Sequence, residues 1–347
     1  MTRLLILGGS WFLGRAVVDA ALLRGWDVTT FRRGQSGGGA PGVTVLRGDR
    51  TSAADLARLA DAGPWDAVVD TSGYVPREVL AAARALEPVV GRYVFVSTVS
   101  VYQGWPTAPL TEDSPVLDCP PDAGPEFGYD ADPGPSVYGF TKAGSERAVF
   151  ETFGAQRSIA LRPGVIIGPR EYVGRLPWWL RRVARGGRVL APGQPERRIQ
   201  PVDVRDVAEF ALRVALGRVG IFNVTAPGQD TMADLLTACR EVTGSAAQFE
   251  WITDEQWLVA QGVRQWTELP LWRTYPGAWA VDSSRARAAG LHSRPLRSTV
   301  TDTWEWVHPG EPSVAHERAF EQGIDPDKEN AILGIWDARE ADHCGAS

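Results

Sequence analysis

Residues 4–14, LLILGGSWFLG, constrain this chain more than any other stretch. Leu4 to Leu7 is a short apolar run of the kind a buried parallel strand shows. Gly8 and Gly9 break it, and Arg15 to Arg24 then carries apolar residues at helical spacing. The order strand, glycine turn, helix presents backbone N–H groups and the positive end of a helix dipole to a diphosphate, and glycine lets the ligand approach the backbone closely. The candidate contacts are Gly8, Gly9, Ser10, Trp11, Phe12, Leu13 and Gly14. Trp11 stands where the usual pattern has a third glycine, so the motif is incomplete and needs support from elsewhere in the chain. Its indole has to swing outward or lie over the ligand's edge, and the expectation is that it covers a bound diphosphate without blocking it.

The strand ends further along the chain supply that support. Asp27 to Phe31 reads as a second strand ending in Arg32-Arg33-Gly34. At this position an acidic residue suits the free 2′-hydroxyl of an adenosine ribose and arginine suits a 2′-phosphate, so Arg32 and Arg33 favour NADP(H), with NAD the alternative. Gln35 to Gly42 is a loop by composition. Val43 to Leu46 is a third strand running into Gly48-Asp49-Arg50, where Asp49 can accept from an adenine amine or serve its own turn, with Arg50 beside it. A helical stretch, Thr51 to Ala62, precedes the buried strand Trp65 to Asp70 and the turn Thr71-Ser72-Gly73. A helix over Pro76 to Leu86 then leads to the strand Arg92 to Ser97. This alternation predicts a parallel, doubly wound sheet with helices on both faces, and ligands at the carboxyl ends of its strands, where Thr71 and Ser97 fall.

Two further pieces carry chemistry: Val96 to Tyr102 (VSTVSVY) and Ser136 to Lys142 (SVYGFTK), the second opening a helix. Tyr138 and Lys142 are four apart and share a helix face. A tyrosine is a poor base at neutral pH, with an ordinary pKa of about 10, but a nearby ammonium and a nicotinamide cation both favour its phenolate. Thr98 or Ser97 can hold a substrate oxygen while Tyr138 exchanges its proton. Thr98, Tyr138 and Lys142 are therefore the candidate catalytic residues.

These motifs resemble the extended short-chain dehydrogenases/reductases, the NAD-dependent epimerase/dehydratase family, from Leu4 to about Val307. They are LGGSWFLG, GDR, VFVSTVSVY, YGFTK, LRPGVIIGPR at Leu161 to Arg170 and QPVDVRDVAEF at Gln200 to Phe210. The resemblance implies a Rossmann domain with a smaller C-terminal α/β substrate domain, and hydride transfer at nicotinamide C4. It places Thr98 at the hydroxyl position, Tyr138 at the acid/base, Lys142 at the ribose-binding lysine, and Pro163 and Gly164 beside the nicotinamide. It also implies dimerisation through the helix carrying Tyr138 and its neighbour. The chain looks most like a branch with a GGTxFLG-type turn and a WTELPLW-like segment, often named only as reductases, and chloroplast stem-loop RNA-binding proteins have a similar altered turn. Val99 and Ser100 replace the Asp-Glu of sugar-nucleotide 4,6-dehydratases, which argues against that dehydration. Gly164 and Asp203 stand where many sugar-nucleotide epimerases have asparagine and histidine.

The expected organisation is a dinucleotide-binding domain over 1–170, to which 199–225 returns, a substrate domain over 171–198 and 226–307, and an extension over 308–347. Ile221 to Val224 resembles the short strand that begins the second domain, and Ala280 to Gly290 the strand and helix that tie it back. On the substrate side, Arg170 and Arg175 are candidates for a substrate anion, and surface charge is the competing reading. Asp206 is read as orienting Arg205 or capping the helix Asp203 to Leu216. The acidic, proline-rich insertion between Tyr102 and Tyr138 reads equally as a lid or as a solvated loop. Trp251, Trp257, Trp266, Trp272 and Trp279 are expected in packing, with one or two free to line a pocket.

Bulk properties exclude several classes. A net charge of -6 gives no broad basic footprint, so no nucleic-acid partner is expected. Cys119, Cys239 and Cys344 are odd in number and far apart, which argues against a disulfide framework or a zinc site and fits a reducing cytoplasm. The first apolar run is too short for a signal peptide, and none approaches membrane-spanning length. His292, His308, His316 and His343 all lie near the C-terminus, against a histidine metal site or a serine hydrolase. The leading expectation is an NADP(H)-dependent oxidoreductase acting on a carbonyl or secondary alcohol of a small polar substrate. The alternatives are an epimerase that retains NAD(P) and acts on a sugar or sugar nucleotide, and a non-catalytic or RNA-binding Rossmann protein.

Overall fold

The computed structural model describes residues 1–34, 40–307 and 322–345. Most of the expected loop 35–42, together with His308 and His316, lies outside the described residues, as do the side chains of His343 and Cys344. In chain order the elements begin β1 (Arg3–Leu7), α1 (Phe12–Leu23), β2 (Asp27–Arg32), β3 (Thr44–Arg47), α2 (Ala53–Asp61), β4 (Trp65–Asp70), α3 (Pro76–Leu86) and β5 (Val90–Val96). After a 3-10 turn at Val99–Val101 come α4 (Val137–Phe153), β6 (Ser158–Pro163), β7 (Ile166–Ile167), α5 (Arg175–Ala184), β8 (Arg188–Pro192), β9 (Val202–Asp203), α6 (Val204–Ala215) and β10 (Gly220–Val224). The remainder is α7 (Met232–Thr243), β11 (Gln248–Ile252), α8 (Glu255–Ala260), α9 (Ser284–Ala288), α10 (Leu296–Val307) and α11 (Pro326–Gly345).

The chain divides into two compact units. The first comprises Met1–Ile166, Gln200–Pro227 and Tyr275–Ser293. Its seven-stranded sheet has the order β10-β6-β5-β4-β1-β2-β3, every pairing parallel. Strand residues alternate between two cores, as the two-residue repeat requires. Leu4, Ile6, Val69, Val94 and Leu161 face one side with α1 and α6, while Leu5, Leu7, Val68, Tyr93 and Phe95 face the other with α2, α3 and α4. Between β1 and β4 the order of strand addition reverses, and helices leave to opposite faces. A crevice opens there at the carboxyl ends.

Two expectations change here. Ile221 to Val224 does not begin a second sheet; β10 is the outer strand of the large one, paired with β6. The stretch 226–307 is not continuous either, because Tyr275–Ser293 belongs to the first unit, where Ala286 and Leu291 enter the core beside α6. The insertion after Tyr102 is not merely a solvated loop. Leu110 and Leu117 are buried with Val101 and Tyr102, Leu110 exchanges backbone hydrogen bonds with Ala280 and Asp282, and buried Glu112 accepts from the Asn223 N–H at 3.0 Å.

The second unit comprises Ile167–Ile199, Gly228–Thr274 and Arg294–Ser347. Within it β8 and β11 pair in parallel, and α5, α7 and α10 pack on one another. The tryptophans here are mostly structural: Trp179 is fully buried with its indole N–H on the Pro270 carbonyl, and Trp272 donates to Glu255 at 2.6 Å. The C-terminal extension is more than a surface appendage. Ile332, Leu333 and Trp336 of α11 are buried, and Glu329 accepts from Arg182 Nε at 2.7 Å and from the Leu190 N–H at 3.1 Å. Removing one member of a buried ion pair leaves an uncompensated charge, so Glu329→Ala should cost about 3–5 kcal/mol in denaturant unfolding. Arg182→Met combined with Glu329→Leu should recover most of that loss.

Candidate active site

The glycine turn is built by close approach. Gly8 and Gly9 have φ of +109° and +95°, and a Cβ on either would lie 2.7 Å from Thr71 Oγ1 or 2.8 Å from Thr30 Cγ2. Gly14 has an ordinary helical backbone, but a Cβ there would lie 2.7 Å from the Gly9 nitrogen and 2.9 Å from Thr71 Oγ1. Thr71 is itself fixed, its N–H and hydroxyl both donating to the Leu7 carbonyl at 3.1 Å. The end of β1 and the end of β4 are thus keyed together. Trp11 sits at the cap of α1 with φ −121° and ψ 151°, an extended conformation any residue adopts. The positive φ falls instead on Phe12, at +28°. A glycine is therefore not required at position 11. No side chain caps α1 and its first turn carries no acidic residue, which suits a helix start meant for a ligand anion. Leu13 lies in the core beneath.

Arg32 Nη1 donates to Ser10 Oγ at 3.0 Å, tying the end of β2 to the turn, and Arg33 is exposed beside it. Asp49 serves its own turn: Oδ1 accepts from the Thr51 N–H and hydroxyl at 2.9 and 2.8 Å, bonds that hold its pKa below the usual value. Arg50 is engaged by the end of β4. Its Nη2 and Nη1 reach Asp70 Oδ2 and Oδ1 at 2.7 and 3.2 Å. Buried Asp70 also accepts from the Tyr93 hydroxyl at 2.8 Å and the Ser72 N–H at 3.0 Å.

Tyr138 and Lys142 occupy the first turns of α4, which Ser136 caps by accepting from the Gly139 N–H. Tyr138 is half-exposed, whereas Lys142 is buried, with Nζ donating to the Val96 carbonyl at 2.8 Å. The ammonium lies 4.7 Å from the Tyr74 ring, 4.8 Å from Phe95 and 6.0 Å from Tyr138. Burial pushes the Lys142 ammonium down to about 8, against the upward pull of Asp70. Thr98 stands two residues past the end of β5 and caps the 3-10 turn, accepting from the Ser100 N–H at 3.2 Å. Ser97 Oγ is buried without a hydrogen-bond partner, and so is Thr225 Oγ1 beyond β10. Between them, Pro163 ends β6, and a Cβ on Gly164 would press on Thr225 Cγ2 at 2.9 Å. Two orphaned hydroxyls and a glycine row at one sheet edge fit a polar ligand laid across the strand ends.

On the substrate side, Arg175 is engaged within the second unit, 3.8 Å from Glu171 and 5.2 Å from the Trp266 ring. Glu171 caps α5, accepting from the Arg175 and Leu176 N–H groups. Arg170 has a positive φ of +68°. The cap of α6 is Asp203, not Asp206; Asp203 also holds Arg205 through both carboxylate oxygens, while Asp206 is buried. Sequence reasoning missed Tyr74, Asp70, Tyr93 and Thr225. A usable signal for Lys142 was present: only two lysines, Lys142 and Lys328, occur among the 36 Lys and Arg residues. Among the described residues no cluster of His, Cys, Asp and Glu could hold a metal ion, and no helix is long and apolar enough to cross a membrane.

A sequence profile of the NAD dependent epimerase/dehydratase family matches residues 4–224. The Arabidopsis thaliana chloroplast stem-loop binding protein of 41 kDa b is 25% identical over 259 residues, 70% of this chain and 63% of that protein's length. Among solved structures, the Bordetella bronchiseptica enzyme WbmH in complex with NAD+ superposes with a TM-score of 0.66 at 19% identity, covering 90% of this chain and all of the other. The UDP-glucose 4-epimerase of Thermotoga maritima, solved with UDP-glucose, gives 0.65 at 18%, covering 88% and 98%. With the profile spanning most of the chain, and the glycine turn and the Tyr138–Lys142 pair both within it, the chain belongs to the NAD dependent epimerase/dehydratase family, with the Rossmann architecture of the extended short-chain dehydrogenases/reductases.

Proposed function

We propose that this chain is an NADP(H)-dependent oxidoreductase acting on a carbonyl or secondary alcohol of a small polar substrate, with Tyr138 as the acid/base. The observation that carries the reading is the bond from Lys142 Nζ to the Val96 carbonyl. It puts a buried ammonium beside the half-exposed Tyr138 ring at the strand end that delivers Ser97 and Thr98. Bound across Gly8 to Gly14 and the ends of β5 and β6, the dinucleotide supplies the hydride donor or acceptor. Tyr138 gives or takes the proton on the substrate oxygen, Lys142 favours its phenolate, and Thr98 holds that oxygen in place. Trp11 covers the diphosphate from its extended position at the start of α1. Arg32, held toward the turn by Ser10, meets the 2′-phosphate.

A second reading keeps the same residues. An epimerase would use the Tyr138 proton exchange twice and retain its cofactor; the named activity of the Thermotoga maritima neighbour favours it. Net consumption of NADPH, one per product, supports the reductase, and turnover with tightly held cofactor and no net oxidation supports the epimerase. The name of the Arabidopsis relative favours a third, RNA binding without turnover, which salt-sensitive capture of a stem-loop RNA would support.

Loss of a positioned acid/base should lower turnover by about 10²–10⁴-fold, so Tyr138→Phe should keep dinucleotide affinity while kcat falls by that factor. Full activity in that variant removes the mechanism. A hydrogen bond to a charged group contributes about 1.5–3 kcal/mol. Arg32→Ala should accordingly weaken NADPH binding by about 10–100-fold in calorimetry and leave NADH nearly unchanged. Equal loss for both dinucleotides assigns Arg32 a purely structural role.

A further inference from the structure

The two lysines of this arginine-rich chain sit in opposite surroundings. Lys328 donates to both carboxylate oxygens of Glu268, at 2.8 and 3.0 Å. Lys142 has no carboxylate in contact among the described residues; it has one carbonyl and the faces of three rings. A carboxylate stands one layer behind. Asp70 is the direct cross-strand partner of Phe95, and both press on Gly73, where a Cβ would lie 2.6 Å from Phe95 Cε2 and 3.0 Å from Asp70 Oδ2. Phe95 is the ring that Lys142 covers at 4.8 Å. Asp70 is in turn closed off by the two-pronged bond from Arg50 and by the Tyr93 hydroxyl and the Ser72 N–H.

We propose that Arg50 and Asp70 form a positioning pair of opposite charges behind Phe95 that sets the protonation of Lys142, Asp70 holding the proton on and Arg50 offsetting that hold. The two are positioning residues, engaged with each other, Tyr93 and Ser72. They act through Lys142 and through the Ser72 backbone that Asp70 fixes. The charges facing Lys142 are few: Asp70 at the end of β4, Arg50 after β3, and Glu146 one turn further along α4. Glu146 is itself neutralised by Arg162, through bonds of 2.9 and 2.6 Å. Tyr74 and Tyr138 contribute ring faces. Burial lowers the Lys142 pKa most, Asp70 and Glu146 raise it and Arg50 lowers it. The balance leaves the lysine titrating at about 8, close enough to neutrality for its proton to answer to what happens at Tyr138. An arginine could not do this, because its guanidinium keeps its charge across that range.

The pair bears on catalysis only if Lys142 has the role proposed for it beside Tyr138, and one set of titrations separates the two ideas. With two lysines, protein carrying ¹³C at the lysine ε-carbon gives two side-chain signals, assigned by Lys328→Arg. Titrated by NMR, Lys142 should change charge near pH 8 in the unaltered protein. Asp70→Asn, which keeps the shape and removes the negative charge, should move that midpoint down. Arg50→Gln should move it up, and the combined variant should return it toward the starting value. Midpoints that move in the same direction, or a midpoint that stays still in Arg50→Gln, overturn the proposal. Arg50→Gln alone decides the matter if Asp70→Asn does not fold. Saturating NADPH or NAD+ added to the unaltered protein tests the catalytic role: a Lys142 signal that neither dinucleotide moves removes that assignment, whichever way the variants shift.

Discussion

The carboxyl edge of the large sheet depends on one hydroxyl fitting where no methyl group can. Thr71 binds the Leu7 carbonyl and closes on Gly8 and Gly14, so the ends of β1 and β4 approach as closely as bare backbone allows. This is the place where the direction of strand addition reverses and the helices part to opposite faces. A side chain at position 8 or 14 would force Thr71 aside and part the two strand ends. Position 11 is under no such constraint, its backbone being extended, and an indole is accommodated where the family pattern has glycine.

Much of this was legible in the sequence because the governing signal is local. Apolar runs of strand length, two-residue alternation and the spacing of Tyr138 and Lys142 lie within a few residues of one another, and β4 and α3 fall where the sequence placed them. What was not legible is pairing at a distance. Arg50 reads as a cofactor contact because it follows the glycine of a strand-end turn; its partner lies twenty residues on, at the far end of another strand. Asp203 and Asp206 are equivalent as sequence, and only the backbone shows that the first of them caps α6. β10 carries no mark of the sheet it joins, since a five-residue apolar strand fits either. The modest helical pattern of α11 hides its role because part of its hold comes from a single buried glutamate.

Among the described residues, buried arginines and Lys142 are treated differently. Buried guanidinium groups meet carboxylates, two-pronged in Arg50–Asp70 and Arg162–Glu146 and through Nε alone in Arg182–Glu329, whose other nitrogens take backbone carbonyls; planar forks with several donors favour such pairing. The exception is Lys142, a compact charge among rings whose desolvation is only partly offset. These arginine pairs serve architecture, and Lys142 stands beside Tyr138 as a charge that can change.

The discontinuity of the first unit has a consequence for the order of events on the ribosome. One face of its sheet is covered by α1 and α6, together with Ala286 and Leu291. Strands β1 to β6 leave the exit tunnel long before those last residues are made. α1 follows β1 at once, but α6, which packs on β4 and β5, comes only after Ile167–Ile199 of the second unit, so Val69 and Val94 lack that cover while this segment is synthesised. Domains generally fold as units, N-terminal first, and exposed apolar sheet is prone to aggregate. The nascent chain carries that burden until α6 is made, and the core beside α6 is completed only when Ala286 and Leu291 follow Gly228–Thr274 of the second unit.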